Sequence, residues 1–479
     1  MSRKRNISRR RFLGEASCAA IGSTAFLSSM LNLGAINTLA ARPHIVEDTR
    51  NYKAMVCILL AGGADSFNML VPTDAAEFSA YQNVRADLAL GQGDLLSVTP
   101  HNTMGRTFGI HNGMTKVKDL FEEDKLAFLS NIGTLIEPIL DKNDYRNKQL
   151  PLGLYSHADQ IMQWQTSVPQ SRSAVGVGGR IADILNDMKT VDGVSMNISL
   201  DGKNRFQSGN TVVEFSLSND SREDNLGIES VVDWWGNAGF LTQMRDNAVN
   251  GMVEDVYSNI FQNTYSSLTR QTVESIDLFK SALAKKPGIN LTFGPSRLSQ
   301  DLRMIAETIS VQQHLGNNRQ IFFTTFGGWD HHDEVLDNQG RMLPILSDAL
   351  GEFNDALIAL GKENEVVTFT ISDFARTLTS NGNGSDHAWG GNQIVMGGAI
   401  DGGKIYGEYP SLALANNELN LDERGRFIPT TSVDEFYAEL ALWFGVSPND
   451  LDYILPNLCN FYSSSSACAA GSAPIGFFK

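Results

Sequence analysis

Six short runs along the chain are apolar without alternation: AMVCILL at 54–60, LAFLSNIG at 126–133, VSMNISL at 194–200, IFFTTF at 321–326, VVTFTI at 366–371 and QIVMGG at 393–398. Side chains of a strand point to opposite faces in turn, so a run that stays apolar on both faces predicts a strand covered on both sides. Between many of these runs apolar residues recur at three- and four-residue spacing, as in a helix with one buried stripe. GMTKVKDLFEED at 113–124, SRLSQDLRMIAETISVQQHL at 296–315 and MLPILSDALGEFNDALIALGKE at 342–363 show it. Strands alternating with helices predict an α/β fold: a three-layer, largely parallel sheet with helices on both faces. Residues 205–295 break the pattern, being polar with helical spacing and no strong strand signal, and predict a helical insertion. The body is expected to end near residue 462, and the low-complexity 463–479 is expected to be a loosely ordered tail.

Three predicted strands end in an acid. The first delivers Asp65 and Ser66, the fourth delivers Asp330, His331 and His332 after two glycines, and the fifth delivers Asp373; the loop NGNGSDHAWGG adds Asp386 and His387. In a parallel sheet these ends share one rim, where ligands bind. Gathered carboxylates cost free energy there unless a cation offsets them. Mixed carboxylate and imidazole donors suit zinc, manganese or iron better than magnesium or calcium. If residues 330–332 are extended, Asp330 and His332 share a face and His331 points away, behind the ligands or to the surface. Asn381 and Asn383 are expected to shape the loop before Asp386, and Trp329 and Trp389 to wall the site or join the core.

The first 41 residues have a basic front, a weakly apolar middle and small residues before Arg42. SRRRFL at 8–13 matches the twin-arginine export pattern. Cleavage is expected near Ala40 or Ala41, releasing a protein exported already folded to the periplasm or beyond. Without that segment the chain carries 32 Lys and Arg against 53 Asp and Glu, a formal charge of −21. A surface this acidic repels nucleic acid and anionic lipid, and no later apolar run has transmembrane length. Of four cysteines, Cys18 falls in the signal, Cys57 lies in an apolar run, and Cys459 and Cys468 are near enough to pair.

LLAGGADSFNMLVP, FGGWDHH, TISDFARTLTSNGNGSDHAWGGNQIVMGG and RFIPTTSVDEFYAELALWFGV resemble the signature segments of the exported family known as domain of unknown function 1501, from about residue 52 to 462. That family is similar to the alkaline phosphatase and sulfatase superfamily. The resemblance implies an alkaline phosphatase-like fold and a divalent metal, zinc or manganese, on the sheet rim. It implies a hydrolase of phosphate or related esters, small or polymeric, or a non-catalytic binding or assembly protein that keeps the fold and one structural metal. Asp330, His332 and His387 resemble one ligand set; Asp65 and Asp373 resemble the other, where Phe374 replaces the usual histidine and leaves that site weakened or vacant. Ser156, before a predicted helix, is the implied nucleophile, with Ser66 as alternative; Arg376 would hold an anionic oxygen, or else pair with an acid. His111 and His157 are expected to be structural or to stand behind the ligands. SVPQSR at 167–172 places Arg172 one position too late for the sulfatase signature.

Overall fold

The computed structural model describes residues 51–185, 193–217, 251, 260–290, 292–461 and 475–479. The expected export signal and Cys468 lie outside the described residues, as does much of the expected insertion.

The strands, in chain order, are β1 (Lys53–Ala61), β2 (Leu70–Pro72), β3 (Leu95–Val98), β4 (Phe108–His111), β5 (Leu126–Gly133), β6 (Asn197–Ser199), β7 (Phe215–Ser216), β8 (Arg319–Gly327), β9 (Val366–Ser372), β10 (Gly391–Met396), β11 (Ile405–Gly407) and β12 (Thr431–Ser432). The main sheet runs β11-β5-β10-β9-β1-β8-β6-β7, with β12 also on β5. All its pairings are parallel except those of β10, which is antiparallel to both β5 and β9. Strands β2, β4 and β3 form a separate antiparallel sheet, which the periodicity does not predict.

The helices are α1 (Ala75–Arg85), α2 (Thr115–Glu122), α3 (His157–Thr166), α4 (Val177–Leu185), α5 (Ile260–Leu283), α6 (Arg297–Ser310), α7 (Val335–Leu360) and α8 (Val433–Phe444). They cover both faces, and β1 shows how. Ala54, Val56, Ile58 and Leu60 enter a core with Leu120 of α2, Leu302 and Ile305 of α6, and Leu346 and Leu350 of α7. Met55, Cys57 and Leu59 enter the opposite core with Ile181 of α4 and Phe436 and Leu440 of α8. The unbroken apolar run of β1 is the mark of this double burial.

Two sequence expectations fail at the margins. Helix α7 begins well before residue 342 and runs through Pro344. The tail is not loose at its end: Phe477 is fully buried and Ile475–Phe478 are tied to Glu439. Cys57 is a free, buried thiol and Cys459 is disulfide-bonded.

Candidate metal centre

Strand β1 lies in register between β8 and β9, so their carboxyl ends align at Ala61, Gly327 and Ser372. Beyond that line the chains come very close. Gly62 has φ +118°, and a Cβ on it would meet the Asp330 nitrogen at 2.5 Å. Only glycine allows both the backbone angle and the contact. The hairpin after β9 folds back through an antiparallel bridge between Arg376 and His387, which returns His387 to the rim.

Three imidazoles and one carboxylate converge there. The donor atoms of His157, Asp330 and His387 all lie within 4.8 Å of one another. His387 Nε2 is 3.1 Å from His157 Nε2 and 2.9 Å from His332 Nε2. Asp330 Oδ1 is 3.1 Å from His332 Nε2, 3.5 Å from His157 Nε2 and 3.6 Å from His387 Nε2. Donors held about 2.05 Å from one tetrahedral ion are about 3.3 Å apart, and these five spacings straddle that figure.

The tautomers decide what the site needs. His157 Nδ1 faces Asp373 Oδ2 at 2.8 Å, His332 Nδ1 faces Asp386 Oδ1 at 3.0 Å, and His387 Nδ1 faces the Tyr155 carbonyl at 2.8 Å. Carboxylate and carbonyl oxygens only accept, so each neutral ring carries its proton on Nδ1 and points an Nε2 lone pair inward. Lone pairs 2.9 and 3.1 Å apart repel unless a cation or a shared proton lies between them. A proton on His387 Nε2 could serve both contacts, but burial, then the Arg376 guanidinium and the two neighbouring histidines, push the His387 pKa down. A metal ion would supply that cation, as would a proton on His157 Nε2 or His332 Nε2 shared with His387. Oxygen acceptors behind each imidazole are the usual outer arrangement of a histidine metal site.

His387 is aimed by a strained residue. Tyr155 has φ +71°, which costs a side-chain-bearing residue about 1–2 kcal/mol. Its N–H is fixed by the buried Gln160 side chain at 2.6 Å, and the Arg426 guanidinium lies 4.9 Å over its ring.

Sequence expectation and geometry part at several residues. His157, expected behind the ligands, is among the converging donors, because α3 begins at the rim with Ser156 as N-cap. Asp373 stands behind the donors: Oδ2 holds His157 and Oδ1 accepts the Gly62 N–H at 3.0 Å. Asp65 is also committed elsewhere, ion-paired at 2.8 Å with the fully buried Arg85 and bonded at 3.0 Å by the Ser385 hydroxyl. Neither carboxylate is among the clustered donors, so the implied second site lacks its acids. Arg376 meets no open space. Fully buried, it donates to the carbonyls of Gly63, Ser385 and Gly62 and to Asp330 Oδ1, engaging four of its five N–H groups. It positions Asp330 rather than binding substrate. Burial pulls the Asp330 carboxyl upward, but the Arg376 guanidinium holds it below its ordinary pKa.

Of the remaining residues, Asp386 orients His332, accepts from Asn381 and ion-pairs with Arg424; burial works against these partners, which still bring its pKa down to about 2. His331 turns inward beside Trp329 and is buried. Ser66 is buried and accepts the Asn392 N–H at 2.8 Å. The Ser156 hydroxyl bonds Asp159 rather than the helix backbone. Asn383 bonds Asp333, and Asn381 also reaches the His332 carbonyl. His111 accepts the Gly113 N–H within β4's turn, and Trp389 is core, bonded to Thr134.

Residues 263–448 match a family described as protein of unknown function, DUF1501. The span contains Asp330, His332, Asp373, Arg376 and His387 but not His157. No curated protein matches the chain. Among solved structures it is similar to Ps i-CgsB in complex with k-i-k-neocarrahexaose, at 11% identity over 89% of this chain and 78% of that one, TM-score 0.35. It is also similar to the lipoteichoic acid synthase LtaP from Listeria monocytogenes, at 10% identity over 82% and 79%, TM-score 0.30. A third is an alkaline phosphatase from the Antarctic bacterium TAB5, at 11% identity over 73% and 93%, TM-score 0.24. Likenesses this faint add nothing to the geometry. Among the described residues, no helix is long and apolar enough to cross a membrane.

Proposed function

We propose that this is an exported, metal-dependent hydrolase of phosphate or related esters, with His157, Asp330 and His387 holding the ion and His332 as a fourth donor. The observation that carries it is the convergence of three imidazole Nε2 atoms and the Asp330 carboxylate at spacings of 2.9–3.6 Å. SRRRFL at 8–13 supports export by the twin-arginine machinery. When bound, a divalent ion of the zinc or manganese type would polarise an ester oxygen and make water acidic enough to act near neutral pH. The chain's part is to hold that chemistry still. Asp373, Asp386 and the Tyr155 carbonyl fix three imidazoles, and Arg376 fixes Asp330. Asp330, His332 and His157 side chains are 48%, 44% and 36% exposed, which leaves substrate an approach from solvent. The half-exposed Arg424 guanidinium, bound to Asp386, is the cation placed to meet an anionic ester.

Metal content of the purified protein, and turnover of phosphomonoester, phosphodiester and sulfate ester substrates with added zinc or manganese, test the proposal. About one ion per chain in wild type, lost with activity in His387→Ala, is expected. A folded wild-type protein that takes up neither metal would refute it. The engagement of Arg376 and of the Ser156 hydroxyl supports a second reading, a structural metal in a non-catalytic binding or assembly protein. Stoichiometric metal, a large stability gain from it and no turnover of any ester would favour that reading.

A further inference from the structure

Far along the chain from the candidate metal centre, residues 475–479 pack against α8. Glu439, in α8, is 1% exposed. Its Oε2 accepts the backbone N–H groups of Ile475 and Gly476 at 2.9 and 2.8 Å, and its Oε1 those of Phe477 and Phe478 at 2.5 and 3.3 Å. One carboxylate thus reads four successive amides. Phe477 is fully buried, 5.7 Å from the Phe436 ring and 6.2 Å from Tyr406. The Phe478 ring stacks flat on Trp443, at 5.2 Å and 5°. The segment also bonds the turn at 398–401: Asp401 N–H donates to the Phe477 carbonyl at 2.9 Å, Lys479 N–H to Ala399 at 3.0 Å, and the Lys479 ammonium to Gly398 at 2.9 Å.

We propose that the face of α8 around Glu439, with residues 398–401, is a peptide-binding slot whose occupant is the chain's own C-terminal Ile-Gly-Phe-Phe-Lys, held as a separable ligand. Two features set it apart from ordinary packing of a chain end. Glu439 is a buried carboxylate whose four hydrogen bonds all come from the segment, so the slot is built around an acceptor that only an incoming backbone fills. The main-chain bonds give affinity, while the Phe477 pocket and the Trp443 face select side chains. Thirteen residues, 462–474, separate Phe461 from the segment. The slot does not depend on the metal reading.

The test keeps every residue in place. A protease site introduced between Ala470 and Pro474 is cut in the folded, full-length protein, and the nicked sample is passed through a desalting column. A fluorescent peptide ending in IGFFK is then titrated in, with far-ultraviolet circular dichroism reporting the fold. Expected are co-elution of the cut segment, saturable exchange with the labelled peptide, and a rise in the nicked protein's melting temperature on adding it. In Glu439→Gln an NH2 group replaces one acceptor, and the peptide should bind about tenfold more weakly or worse. A peptide with Phe477→Ala should compete poorly against the unaltered sequence. Loss of the segment without change in melting temperature would overturn the proposal. So would a folded nicked protein that ignores the peptide, or unfolding on nicking that the peptide fails to reverse.

Discussion

Replacing Asp373 by Asn would isolate the part that outer hydrogen bonds play at the proposed metal centre. The side chain is nearly the same size, and Asp373 is buried, 2% exposed, so packing hardly changes. The carboxylate accepts twice, from His157 Nδ1 at 2.8 Å and from the Gly62 N–H at 3.0 Å. An amide has one acceptor. If its oxygen keeps Gly62, its NH2 faces His157 Nδ1, which must then accept and carry its proton on Nε2. His157 is no longer a donor to a metal. Loss of such a partner costs about 10- to 100-fold in metal affinity, or about 1.4–2.8 kcal/mol. Competition with a chromogenic chelator measures the affinity, and thermal melts with and without metal separate the two roles of Asp373. The orientation reading expects the loss to appear mainly in the metal-loaded protein, with stoichiometry retained. Affinity within twofold of wild type, or an equal drop in stability with and without metal, would refute it.

Three further outcomes follow from the geometry. A Cβ on Gly384 would lie 2.2 Å from the His332 carbonyl group and 2.5 Å from the Asp333 nitrogen, so Gly384→Ala should force the 381–387 loop off His332 and weaken metal binding by about tenfold or more in the same chelator assay. Arg85→Ala would leave Asp65 as an uncompensated charge in a fully buried place, costing about 3–5 kcal/mol in urea unfolding; the double change Arg85→Met, Asp65→Leu should recover more than half, and a single-mutant cost under about 1 kcal/mol would contradict the pairing. Burial lifts the Asp434 carboxyl to about 7 against the pull of its hydroxyl partners and Arg180. Its unfolded value is about 3.9, so the folded chain binds the extra proton between these values. The associated stability is complete below about pH 4, declines as pH rises towards 7 and is gone above it. Asp434→Asn should therefore raise the melting temperature at pH 8, by at most about 4 kcal/mol in stability, and do little at pH 4.

Legibility in the sequence followed the range of the interactions. Strands β1, β5, β8 and β9 were readable because burial on both faces leaves an unbroken apolar run, whichever strands pair. The direction of β10 was not read from its own residues, but a signal stood beside it: the 18 residues between Ser372 and Gly391 contain no helix, and a parallel return needs a crossover that usually includes one. Strands β2, β3 and β4 span three or four residues each, too few for a period to register. At the site, the strand-end positions of Asp330 and His332 were visible because strand ends share a rim. The partners of Asp65 and Asp373 were not, since Arg85 and His157 reach them by tertiary packing alone. Phe374 makes the point sharply. A histidine is the usual residue there in the resembled superfamily, and its absence argued for a weakened site. In the fold, Phe374 is a platform: the His157 ring lies 4.7 Å from it and the His387 ring 4.4 Å. The acid after β9 still orients an imidazole, supplied by α3 from 216 residues earlier in the chain. A search confined to the strand end finds an aromatic ring where the chemistry needs a nitrogen. Only the packing of α3 against β9 reveals that the nitrogen is there.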